Sequence, residues 1–233
     1  MTTSLFRSRL LHVIEDSISV TDDGQIVSGV CLSMMQNAEP VLQNGPQCGL
    51  VALSMALKGL GCDFAKVGVP ELYAAAKENE WSCNGEMFSA YHVAKLAKEA
   101  SPRCQANVLE NALKSPHVLL NLLISGSYLL VPYDTDKNHE PCLKRGHTAH
   151  WALILDKTKL SLKNIDGLKI YLYALHGKSK HIALWSVEDL DASNANLMEV
   201  GEARLSDGMS YVVPDGGSLV ETLCNRVVTL DPF

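Results

Sequence analysis

Cys48 follows the turn Gly45-Pro46-Gln47 and opens the apolar run Gly49-Leu50-Val51-Ala52-Leu53, so a thiol stands where a turn passes into a helix. A helix start presents unpaired N–H groups and a partial positive charge, which favour the thiolate; Cys48 is therefore the candidate nucleophile, with an expected pKa below that of a free cysteine. Arg145-Gly146-His147-Thr148-Ala149-His150-Trp151 reads as a loop running into a strand, and His150 at the strand's first turn is the candidate base. A cysteine with a histidine about a hundred residues downstream, distant in sequence but able to meet it in the fold, is the pattern of thiol hydrolases.

Attack on an amide also needs donors for the developing oxyanion and a group that holds the imidazole in one tautomer. Gln43 is the preferred side-chain donor beside the Cys48 N–H, with Gln47 its competitor. His176 ends the apolar run 169–175, where papain-like enzymes place the Asn or Asp that orients the imidazole; Asp156, Asn164 and Asp166 are alternatives, and the third member stays open among them. Gln47, Gly49, His147 and Lys178 are expected along the substrate path. A rival constellation is His139 and Cys142 with His147 and His150, whose types and spacing suit tetrahedral zinc. These four lie in one loop without paired knuckles, and giving His150 to a metal would leave Cys48 without a base, so neither metal nor cofactor is expected.

The elements that must position these residues can be read from periodicity. Residues 47–60 are apolar on nearly every side, the mark of a central, buried helix carrying Cys48. Pro70 can open a helix running to Asn79, Gly85–Ala100 has near-helical apolar spacing, and Ser115-Pro116 suits the cap and first position of a helix ending near Ser125. After Gly126 the runs turn short and β-rich: 128–131, 151–155, 169–175, 181–185, 211–213 and 226–230, with 134–148 as a polar loop delivering His150. The expected class is α+β, a papain-like cysteine peptidase fold with a helical half packed on a C-terminal antiparallel sheet. A single domain is expected over 31–233, preceded by an N-terminal extension, 1–30.

Composition narrows the partners. The 233 residues are 47% hydrophobic and 20% charged, ordinary for a globular chain, and a net charge of −6 without a Lys/Arg cluster excludes the concentrated basic face that nucleic acid requires. Seven irregularly spaced cysteines and an N-terminus without a long apolar core read as reduced thiols in the cytoplasm. The longest apolar candidate, Val118–Ile124, falls well short of the roughly 18 residues of a membrane span. An acidic substrate would be repelled by such a chain unless Lys144, Arg145, Lys178 and Lys180 make a local positive rim.

Several segments together resemble the actin maturation protease family. They are 42–53 around Cys48, Gly85-Glu86-Met87-Phe88-Ser89, Val131-Pro132-Tyr133-Asp134 through Asn138-His139-Glu140-Pro141-Cys142, Gly146-His147 with Ala149-His150-Trp151-Ala152, Gly177-Lys178-Ser179, Leu184-Trp185, and Val212-Val213-Pro214 with Gly216-Gly217. The resemblance runs over about residues 31–230. It implies a C39-like variant of the papain-like fold and a cytosolic cysteine aminopeptidase that removes an N-acetylated residue from immature actin. The family's catalytic Cys and His fall on Cys48 and His150. Some members carry a proline-rich N-terminal extension suited to profilin; residues 1–30 hold no proline, which weakens the case for profilin as a partner. The residues alone reach only a thiol hydrolase of amide bonds. Other readings are a different C39-like peptidase, a transpeptidase resembling phytochelatin synthase, or an inactive actin-binding or zinc-stabilised module.

Overall fold

A computed structural model describes the backbone of residues 14–20, 26–32, 38–63, 65–163 and 167–231, and the side chains of 38–63, 65–155 and 170–231. The helical half comes first. Helix α1 spans Cys48–Gly59, α2 Val69–Glu78 and α3 Ala90–Ala100, and α4, Pro116–Ile124, follows strand β3, Gln105–Glu110. Local sequence explains their starts. Pro70 occupies the first turn of α2, the Ser89 hydroxyl accepts from His92 N–H at the head of α3, and the Ser115 hydroxyl accepts from Val118 N–H at the head of α4. In α1 every residue from Cys48 to Leu57 is buried, so the all-round apolar pattern does mark a central helix.

The sheet half holds β4 (Tyr128–Thr135), β5 (Pro141–Cys142), β6 (Ala149–Lys163), β7 (Gly167–Leu175), β8 (Ala183–Ser186) and β9 (Arg226–Asp231), with α5 (Val187–Ala195) and the short α6 (Glu202–Leu205) before β9. Strands β1 (Ile14–Val20) and β2 (Ile26–Leu32) pair with each other, and β2 continues onto β6, so the domain boundary expected at residue 30 falls inside a strand. The principal path runs β1-β2-β6-β4-β9-β3; β7 also pairs with β6 and β8, and all these pairings are antiparallel.

Strand alternation divides the core between the two faces of the sheet. Tyr128 and Leu130 of β4 with Leu153 and Leu155 of β6 turn toward α1, where Leu50, Leu53 and Leu57 pack. Leu129 and Val131 with Ala152 and Ile154 turn to the other face, covered by Leu119 and Leu123 of α4 and Leu190 of α5.

Three sequence expectations need correction. Residues 85–89 are not helical: Gly85 has φ +100, and α3 begins only after Ser89. Residues 211–213 form no strand, because Val212 N–H donates to the Glu86 carboxylate instead of to a neighbouring strand. The first two residues of the loop expected over 134–148, Asp134 and Thr135, are the last of β4, and the loop contains the two-residue β5. No sequence expectation covers β1, β2, β3, α5 or α6.

Candidate active site

The N-terminus of α1 brings Cys48 to the floor of a cleft of about 640 Å3 whose lining includes Gln43, His147, His150, Lys178 and Arg204. Gly45, at φ +64, makes the turn that leads into the helix. The main chain at Trp151 and Gly49 and the nearby cations Arg204 and Lys178 all favour the ionised form of the thiol. Burial outweighs them all and pushes the Cys48 thiol up, which reverses the low pKa expected from the helix start alone.

His150 sits at the first turn of β6, opposite Tyr133 of β4 in the strand register, with the Tyr133 ring edge-on at 5.6 Å. Its Nε2 lies 2.6 Å from the main-chain carbonyl of His176. A carbonyl only accepts, so Nε2 carries the proton and Nδ1 keeps the lone pair that a base needs. Burial first, and then the nearby Lys178 and Arg204 cations, lowers the imidazole to about 4 against the partial offset of the His176 carbonyl. Burial thus favours the neutral thiol and the neutral imidazole of two side chains that line the same cleft.

The atom bonded to the imidazole is a main-chain oxygen. His176 contributes its backbone oxygen and not its side chain: the ring packs 5.1 Å from that of His139 and 6.1 Å from that of Trp185, and its Nδ1 accepts from Lys178 N–H at 3.3 Å. Asn164 and Asp166 lie outside the described residues, as does the side chain of Asp156.

The two glutamines separate. Gln43 lines the cleft, its Nε2 donating to Gly45 O at 2.7 Å and its backbone N–H to Gly177 O at 2.8 Å. An amide nitrogen carries two hydrogens, so one remains for a ligand. Gln47 does not line the cleft; its side chain covers Gly85, where an added Cβ would collide with Gln47 Cγ. Gly49 is likewise a packing residue and not a cleft residue, since a Cβ there would sit 2.9 Å from Met87 Cβ and 3.1 Å from Trp151 Cδ1.

The positive rim is also composed differently. Arg145 Nε and His147 Nε2 both reach Glu199 Oε1, at 3.1 and 3.2 Å, and Lys144 Nζ donates to Thr135 O. Of the four cations expected, only Lys178 lines the cleft; Arg204 of α6, which no sequence signal marked, is the second. Of the zinc constellation, His147 Nε2 is taken by Glu199 and His150 Nε2 by the His176 carbonyl, and among the described residues no group of three or more His, Cys, Asp or Glu is placed to hold a metal.

Two buried carboxylates missed by the sequence reading build the surroundings. Asp134 accepts from the N–H groups of Lys144, Gly146 and Thr148 at 2.9, 2.8 and 3.0 Å and from the Thr148 hydroxyl at 3.3 Å, which fixes the loop feeding His150 into β6. Glu86 accepts from Cys83, Asn84 and Val212 N–H, tying the approach to α3 to the segment that carries Tyr211 into the cleft. An acidic residue set among large apolar neighbours, as in Tyr133-Asp134 and Glu86-Met87-Phe88, was the available signal.

Residues 38–156, about half of the chain, match the family model described as actin maturation protease-like, C-terminal domain. The chain is 37% identical over 225 residues to the actin maturation protease of Mus musculus, covering 82% of this chain and 61% of the mouse protein. The Xenopus tropicalis protein of that name is 35% identical over 222 residues, with 84% and 72% covered, and that of Drosophila melanogaster 38% over 180, with 76% and 62% covered. The chain thus spans less than two thirds of the length of several of these relatives. Among solved structures, a Bacillus anthracis protein assigned as a C39-like peptidase superposes with a TM-score of 0.54 at 12% identity, over 85% of this chain and 96% of that one, which gives the fold that the resemblance implied. On the family model and on these identities, the chain belongs to the actin maturation protease-like family.

Proposed function

We propose that this chain is a cysteine aminopeptidase of the cytoplasm that removes the N-terminal acetylated residue from immature actin. The observation that carries the chemistry is the meeting of Cys48, His150 and Gln43 on one cleft, with Nε2 of His150 committed to the His176 carbonyl and Nδ1 left as base. The substrate follows from the relatives, whose name is that of an actin maturation protease.

Because thiol and imidazole are both neutral at rest, the proton moves as the bond forms. Nδ1 of His150 takes the Cys48 proton while Sγ attacks the carbonyl carbon of the acetylated residue. Charge on the carbonyl oxygen is met by the spare Gln43 amide N–H and by the Cys48 N–H, which as the first of α1 lies outside the helix's own ladder. Collapse of the adduct breaks the C–N bond, and imidazolium returns its proton to the departing actin amine. Water, deprotonated by the same imidazole, then cleaves the thioester and frees the acetylated amino acid. Trp151 and Gly49 N–H groups hold the sulfur while it carries charge.

The test is mass spectrometry of acetylated actin precursor incubated with the wild type or with Cys48→Ala. Loss of the acetylated residue with the wild type alone supports the reading. An unchanged mass with both proteins would overturn it.

A further inference from the structure

We propose that Arg204, together with Lys178, forms a carboxylate-binding subsite that selects an acidic side chain immediately after the residue removed. The inference rests on the function proposed above and assigns its specificity to named side chains.

The chain as a whole carries a net charge of −6, yet its cleft presents two cations, Lys178 from the turn after β7 and Arg204 from α6. Both stand near enough to bias the charge of Cys48 and of His150, so they flank the reacting atoms instead of a remote part of the groove. Elsewhere the arginines Arg145 and Arg226 are ion-paired, the first with Glu199 and the second with Glu110 and Glu221. Among the described residues neither Arg204 nor Lys178 has a carboxylate within ion-pair distance. The carboxylate of the cleft, Asp207, is already used: it accepts from the Tyr211 hydroxyl at 2.6 Å and from Met209 N–H at 2.9 Å.

What fixes Arg204 is aromatic. Its guanidinium carbon stands 5.6 Å from the centre of the buried Phe88 ring and 5.5 Å from that of Tyr211. A cation–π contact leaves the guanidinium N–H groups able to donate. A cation held in place by rings, with Asp207 near enough to feel its charge but beyond ion-pair distance and bonded elsewhere, has already lost much of its side-chain freedom, and a bidentate carboxylate is the ligand its edge matches. Lys178, exposed on the other element, adds a point charge of the same sign.

The test uses fluorescein-labelled N-acetylated peptides with Asp at positions two and three, or Asn at both. They are titrated against the full chain carrying Cys48→Ala, alone or with Arg204→Gln or Arg204→Lys, at low and high salt. With Arg204 present the Asp peptide should bind about tenfold tighter at low salt, the preference shrinking as salt rises. Arg204→Gln should bring the two peptides to within about twofold, and Arg204→Lys should keep part of the difference. Should Arg204→Gln fail to fold on a thermal melt, Lys178→Gln on its exposed turn reads the same preference. Equal binding of the two peptides, no binding of either, or a preference untouched by these variants overturns the subsite. Cleavage is followed in parallel with the wild type: preference without cleavage sinks the peptidase reading and keeps the subsite, and cleavage without preference does the reverse.

Discussion

Nε2 of His150 donates to the main-chain oxygen of His176 at 2.6 Å, and the carbonyl of the next residue, Gly177, accepts from Gln43 N–H at 2.8 Å. Two consecutive peptide units thus hold the proposed base and the proposed oxyanion donor. The ring of residue 176 takes no part in either bond. His176→Ala should therefore keep kcat/KM on an acetylated peptide within about tenfold, whereas His150→Ala should lose at least about a hundredfold. Equal losses would mean that the His176 ring enters the reaction.

The two histidines also set a pH dependence. Both are lowered to about 4, His150 chiefly by burial, His176 by burial and then by its His139 and His150 neighbours. Their folded values lie below the ordinary value near 6.5, so the unfolded chain takes up protons first as pH falls. Their contribution to stability is complete above about pH 6.5 and is lost progressively toward pH 4. Urea midpoints at pH 7 and pH 4.5 should separate, and His176→Gln should narrow that separation. The acid limb of kcat/KM should fall near pH 4 and not near 6.5, because the free enzyme's base is already neutral above it.

The raised thiol has a chemical signature. Iodoacetamide reacts with thiolate, and Cys48 rests as a buried thiol, so its alkylation near neutral pH should be no faster than that of the half-buried Cys83. Rapid, selective labelling of Cys48 at pH 7 would instead point to a resting thiolate–imidazolium pair.

Gln43 and Gln47 make a matched pair for dissecting turnover from stability. Gln43→Ala removes a cleft donor and should lower kcat by about a hundredfold with little change in KM. Gln47→Ala uncovers Gly85 and should lower the melting temperature while kcat stays within about twofold. Exchanged outcomes would transfer the oxyanion role to Gln47.

Asp134 serves the site without touching it. Its four accepted bonds place Lys144 to Thr148 just ahead of His150. Asp134→Asn turns one acceptor into a donor facing N–H groups, which costs about 1–3 kcal/mol for a buried bond left unmade. Thermal melts should drop accordingly, and the slope of Tm with pH near 6.5 should stay that of the wild type, since the two histidines are unaltered.

Much of the site was legible from Cys48 and His150 because each announces itself locally, one at a helix start after Gly-Pro and the other at a strand start after a polar loop. Helices α1, α2 and α4 were legible for the same reason, through apolar period and caps. The rest depends on partners far away in the chain. Glu86 meets Val212, Asp134 shares its strand end with Ser193 of α5, and Arg204 finds Phe88 only in the folded state. The bond that His150 makes to the His176 carbonyl has no side-chain signature at all, so residue type marks the position but not the atom that makes the bond. Tyr211-Val212-Val213 carries strand composition, but a buried carboxylate took its N–H before any strand could.

The two banks of the cleft are built from unequal material. Cys48 stands on a helix walled in from Cys48 to Leu57, while the facing bank is α6 and the segment to Tyr211, with Glu202, Ala203 and Leu205 in solvent. Substitutions that retune which chain ends are accepted can therefore accumulate on the outer bank at little cost to folding. The nucleophile's bank has no such latitude, and a lineage changing its substrate would be expected to rewrite residues 202–211 long before it altered 48–57.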